Sequence, residues 1–196
     1  MIILVVYMFT IESDVSAMSE VKKSKFIAII KKIDNELEVK DILNNIKKEY
    51  IGAKHYTYAY IIGNIKKVSD DKEPSGTAGM PILNVLEKKQ LTNIICVVVR
   101  YFGGILLGAP GLVRAYSNSV ITCLENADII PLIEYEIYSI TFSYYLEKEI
   151  NYLLKGFLIL EKNFDENIKY KIKVPKKSVD LLEKLHNFAI EIKKSD

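Results

Sequence analysis

The segment Ile94–Tyr101 (IICVVVRY) is a continuous apolar run. A strand covered on both faces reads this way, because neither set of alternating side chains meets water. The run therefore demands a sheet with layers packed on both sides. It leads into a glycine-rich loop, Phe102–Gly111, and then into an apolar stripe of helical period: Leu112, Val113, Tyr116, Val120, Cys123 and Leu124. The spacing predicts a helix over about 110–126, with Pro110 suited to its first position. At 100° per residue, Arg114 falls roughly 140° from the stripe's centre, off the core.

The flanking segments supply the rest of such a sheet. Ser24–Ile33 (SKFIAIIKKI) and Tyr56–Ile62 (YTYAYII) read as strands, and Ile65–Val68 returns after a Gly63-Asn64 turn. Val39, Ile42, Leu43, Ile46 and Tyr50 fit a helix at about 35–50, with Asp34 as N-cap. A second helix is predicted at about 80–88, with Pro81 in its first turn. The apolar start, Met1–Phe9, reads as a first strand, or as upstream sequence before a native start at Met8. At nine residues it is too short to cross a bilayer, which takes about 20, and it lacks the basic start of a signal peptide.

Glycine nearly vanishes after Gly111, leaving Gly156 alone, and Pro131 marks a linker. The remaining pattern is strand (135–144), helix (145–155), strand (157–163), strand (167–174), helix (178–188) and strand (189–193). This β-α-β-β-α-β order is the ferredoxin-like motif. The expected class is α+β with two domains, 1–128 and 132–196.

Six of the nine glycines and three of the five prolines lie between Pro74 and Gly111. Only two of the 27 Lys and Arg residues are arginine, Arg100 and Arg114, and both flank the glycine loop. Where lysine serves for generic charge, a retained guanidinium points to planar, multi-donor recognition. A glycine loop between a strand and a helix N-terminus also suits an anion, and Gly103, Gly104 and Gly108 permit close approach or positive φ. The spacing is neither a Walker A nor a dinucleotide fingerprint.

The polar segment Ser69–Gly79 (SDDKEPSGTAG) has three readings. Asp70, Asp71 and Glu73 hold Mg²⁺, or they pair with the arginines, or the segment with Ser75 and Gly76 is a turn whose Thr77 caps the next helix. His55 lies near these motifs, while His186 belongs to a surface helix. Cys96 and Cys123 have neither zinc spacing nor a disulfide framework, which fits a reducing cytosolic compartment. The net charge of +2 excludes a uniformly basic nucleic-acid coat, so such a contact would be local.

Ala53-Lys-His55-x-x-x-Ala59-Tyr60, Ser69–Gly79, Val99–Gly108 and Gly111-Leu-Val-Arg-Ala-Tyr116 together resemble the YigZ/IMPACT family over about 24–126. The resemblance implies an N-terminal domain like the second domain of small-subunit ribosomal protein five and domain four of elongation factor G. It also implies a ferredoxin-like C-terminal domain. Eukaryotic members modulate the starvation-response kinase by competing for its ribosome-associated activator. The implied role is a cytoplasmic, translation-linked binding protein contacting RNA, the ribosome or a translation factor, with no cofactor, metal, catalytic residue or membrane span. Its expected contact residues are His55, Asp70, Asp71, Glu73, Ser75, Gly76, Thr77, Arg100, Gly103, Gly104, Gly108 and Arg114. The alternatives are a Mg²⁺-dependent phosphate-ester or nucleotide hydrolase and a protein-only adaptor. Three positions depart from the family pattern: Lys72 replaces a usual Gly, Leu106 a usual Lys, and Pro110 a common Gly.

Overall fold

The computed structural model describes residues 8–133, 135–178, 185, 186, 188 and 191–195. The chain forms two compact units, Met1–Leu132 and Ile133–Asp196. Both mix helices with antiparallel sheet, so the protein is α+β with two domains. Whether the native chain starts at Met1 or Met8 concerns residues outside those described.

The first unit is built on a five-stranded sheet in the order β2 (Val15–Val21), β3 (Ser24–Lys32), β6 (Ile94–Tyr101), β4 (His55–Ile62), β5 (Ile65–Ser69). All neighbours are antiparallel. Strand β6 is central, and its first seven residues are buried. Ile94, Cys96 and Val98 pack with helices α2 (Gly79–Lys88) and α3 (Gly108–Leu124). Ile95, Val97 and Val99 pack with α1 (Leu37–Glu49) on the other face. The apolar run thus fills two cores at once. A short pair, β1 (Phe9–Ile11) with β7 (Ile129–Pro131), belongs to this unit.

Three local expectations change. Strand β2 carried no strong signal, since its half-buried residues are mostly small, and its turn to β3 uses Lys22-Lys23. Both lysines have positive φ (46° and 66°), the geometry of a type I′ turn that Asn-Gly would normally announce. Asp34 does not cap α1. Instead Glu38 reaches back to accept from the Asp34 and Asn35 backbone N–H groups, each at 3.0 Å. In α3, Val113 is exposed, and Ala115 and Ser119 complete the buried stripe.

The second unit has a four-stranded antiparallel sheet in the order β11 (Glu191–Ser195), β8 (Tyr135–Phe142), β10 (Ile168–Pro175), β9 (Leu158–Phe164). Helix α4 (Glu147–Leu153) follows a 3₁₀ turn and packs Ile150 against Ile140, Phe142, Tyr170 and Ile172. The strand order is the ferredoxin-like one. The helix expected at 178–188 lies largely outside the described residues, and His186 is exposed. No described helix is long and apolar enough to cross a membrane.

Candidate functional site

The site grows from the end of β6. Alternation along that strand places Arg100 on the same face as Cys96 and Val98, beneath α3. Cross-strand neighbours of Arg100 are Phe26 on β3 and His55 on β4. Arg100 is only 4% exposed. Its guanidinium donates to Glu73 Oε1 at 2.5 Å and to Ser24 Oγ at 3.4 Å. It lies over the rings of Phe26 (5.3 Å) and Phe102 (5.7 Å). Tyr116 on α3 donates its hydroxyl to the same Glu73 oxygen at 2.8 Å. Burial, then the adjacent carboxylate, pushes the Tyr116 phenol far above its usual range.

Arg100 is therefore not the exposed contact that its rarity suggested. It is the buried partner of Glu73, one of the pairings open to the acidic segment. A desolvated carboxylate is best matched by a planar, multi-donor, weakly hydrated counter-ion, and arginine supplies it. The period-2 count from Cys96 and Val98 carried this signal in the sequence.

The acidic segment does not converge on a metal. Asp70 accepts from Gly76 N (2.8 Å), Ala78 N (3.0 Å) and Gly79 N (2.8 Å), clasping the start of α2. Asp71 accepts from Tyr56 N at 2.6 Å. Glu73 faces Arg100. Among the described residues, no three His, Cys, Asp or Glu side chains are grouped to hold a metal. Thr77 does not cap α2, as its hydroxyl donates to Pro74 O at 2.6 Å. The free N–H groups that a cap would take are held by Asp70 instead.

His55 is buried beside this network. Its Nδ1 lies 2.8 Å from Asp71 O, a carbonyl that can only accept, so Nδ1 carries the proton. Nε2 then faces Glu73 at 3.8 Å. These bonds bring the acidic segment against the glycine loop. Between them is an open cleft of about 410 Å³, lined by Lys54, His55, Lys72, Glu73, Arg100, Phe102, Leu106, Leu107, Gly108 and Leu112 among others.

Two glycines make this possible. A Cβ on Gly103 would sit 2.0 Å from the Lys23 carbonyl carbon, so only glycine lets the loop pack against the β2–β3 turn. Gly108 opens α3 at φ 71°. Gly104 is also left-handed, at φ 82°. Ser75 and Gly76 are exposed and do not line the cleft. Arg114 is exposed, as its helical phase implied, and has no hydrogen bond or ion pair among the described residues.

The accessible charge of the cleft comes from residues that reasoning on arginine passed over. Lys54 and Lys72 are exposed, and Lys54 Nζ lies 5.3 Å above the Phe102 ring. Neither has an ion pair among the described residues. Glu73, the lining carboxylate, is already neutralised by Arg100.

The Impact N-terminal domain model matches residues 22–124, which contain every residue of this cleft. The chain belongs to the IMPACT family. It is similar to the IMPACT family member YvyE of Bacillus subtilis, 39% identical over 165 residues that cover 82% of this chain and 76% of that protein. It is similar to the IMPACT family member YigZ of Escherichia coli, 38% identical over 129 residues, 62% of this chain and 63% of that one. A crystal structure described as that of a hypothetical protein is 28% identical, with a TM-score of 0.65 and 92% of both chains covered. At two of the departures from the IMPACT pattern the structure is informative. Lys72, where glycine is usual, has a left-handed backbone (φ 69°). Leu106, where lysine is usual, is 82% exposed at the cleft rim.

Proposed function

We propose that this protein is a translation-linked binding protein that engages RNA of the ribosome through the cleft between Phe102–Gly108 and Lys72–Pro74. The observation that carries this reading is the charge state of the cleft. Its buried carboxylate is paired with Arg100, while Lys54 and Lys72, with no ion pair among the described residues, line the cleft together with Phe102, Leu106 and Leu112. Unpaired cations bind phosphates, and an exposed Phe102 offers a base a stacking face. Arg114, with no ion pair among the described residues, adds a further exposed cation on the adjoining helix. Family membership supports the translational setting, because the fold that it implies is shared with a ribosomal protein and an elongation-factor domain.

Co-sedimentation with ribosomes across a salt series tests it. The Lys54→Ala/Lys72→Ala/Arg114→Ala variant is expected to bind more weakly, with the slope of log affinity against log salt shallower by about 2. Equal affinity and slope for both proteins would remove the site.

A protein-only contact is favoured by the exposed Leu106 at the rim. It predicts ribosome-free, nuclease-insensitive capture of a partner that Leu106→Ser abolishes. The hydrolase alternative needs convergent carboxylates, whereas Asp70, Asp71 and Glu73 each serve a different partner.

A further inference from the structure

The four-stranded sheet of the second unit packs one face on its own core. Register defines the other. Lys169 lies opposite Thr141 on β8 and Asn163 on β9. Lys171 lies opposite Ser139 and Glu161. Lys173 lies opposite Ile137, and Lys193 on β11 lies opposite Ser139 from the far side. Three lysines thus occupy alternate positions of a central strand, although like charges at that spacing repel.

Small hydroxyl residues run between the lysines. Ser139 Oγ and Ser195 Oγ are 3.0 Å apart. Together with Glu161, Asn163, Lys169 and Lys171 they line a shallow polar hollow of about 200 Å³. The three β10 lysines form a row, and the single Lys193 of β11 faces it across the hydroxyls of β8. Two strand spacings separate Lys193 from the β10 row, about 9.5 Å, which admits one polynucleotide backbone but not a duplex. Along β10 the lysines advance about 6.7 Å per step, within reach of successive phosphates. At one end Tyr135 is exposed, with Lys173 Nζ 4.5 Å above its ring. The anions of this face are fewer: Glu161 lies 3.6 Å from Lys171, and Glu191 lies 2.6 Å from Lys193. Lys169 has no ion pair among the described residues.

We infer that this face is a second nucleic-acid contact, holding the backbone of a single strand in the hydroxyl-floored trough between the β10 lysine row and Lys193. It is carried by residues of the second unit alone and does not rest on the cleft reading.

The test uses the full chain and a labelled single-stranded oligouridylate, followed by fluorescence anisotropy across a salt series. Lys169→Gln/Lys171→Gln/Lys193→Gln is expected to weaken binding and to flatten the salt slope by about 2, at 0.7 per lost contact. Glu161→Gln is expected to tighten binding about two- to threefold, a gain that a misfolded variant cannot imitate. Wild-type affinity and slope in the triple variant would overturn the inference, as would binding to anionic phospholipid vesicles with none to the oligonucleotide. The cleft variant run in parallel separates the two sites: its failure to change binding removes the cleft alone.

Discussion

Glu73 is the residue on which the first unit's polar interior turns. One of its oxygens accepts from Arg100 and Tyr116 and faces His55. Glu73→Gln leaves the guanidinium buried without a counter-charge, so a loss of roughly 3–5 kcal/mol is expected in urea unfolding. Replacing Glu73 and Arg100 together by apolar residues should recover most of it, and a double-mutant cycle measures the coupling. Cys123 makes a second prediction. Burial raises its thiol from 9.0 to about 11. The unfolded chain therefore releases this proton first as pH rises. The sign follows: the thiol's contribution is whole below pH 9 and is lost between about 9 and 11. Denaturation midpoints of wild type should fall faster across that window than those of Cys123→Ala. The residue scale also shows where sequence reasoning misled. Arginine scarcity correctly marked Arg100 as special, but the specialty is a desolvated ion pair. The cations that reach solvent in the cleft are Lys54 and Lys72, which the reasoning on arginine gave no role as contacts.

At the scale of elements, position depends on a few backbone contacts. The loop after β6 packs directly against the Lys23–Ser24 backbone, and Ser24 Oγ accepts from Gly103 N at 3.2 Å. Gly103→Ala cannot be absorbed by a flexible neighbour, because the atoms it meets are main chain. A loss of at least about 3 kcal/mol is expected from chemical denaturation, together with loss of ribosome co-sedimentation if the cleft is the contact. Strands β3, β4 and β6 and helices α1 and α2 were legible from periodicity within a residue or two. Strand β2 was not, since an edge strand of small residues beside a Lys-Lys turn announces neither alternation nor turn chemistry.

At the scale of the molecule, each unit closes its own core: one on both faces of β6, the other under α4. Residues 1–132 expressed alone are expected to unfold in one cooperative thermal transition. A gradual, non-cooperative loss of circular dichroism would show that the first unit depends on the second. The two surfaces proposed as nucleic-acid contacts lie in different units, so each can be altered without touching the other.

Periodicity and composition, by themselves, determined the central strands and the helices of the first unit, the α+β class and the place where the special residues gather. Apolar spacing is a local property, and glycine and proline punctuate the chain wherever they stand. Which charges are free was decided only by tertiary structure. Whether a carboxylate faces solvent, a backbone amide or a guanidinium depends on residues far away in the chain: Glu73 is 27 positions from Arg100 and 43 from Tyr116. Folding spent the charges that looked functional and left exposed the ones that looked ordinary.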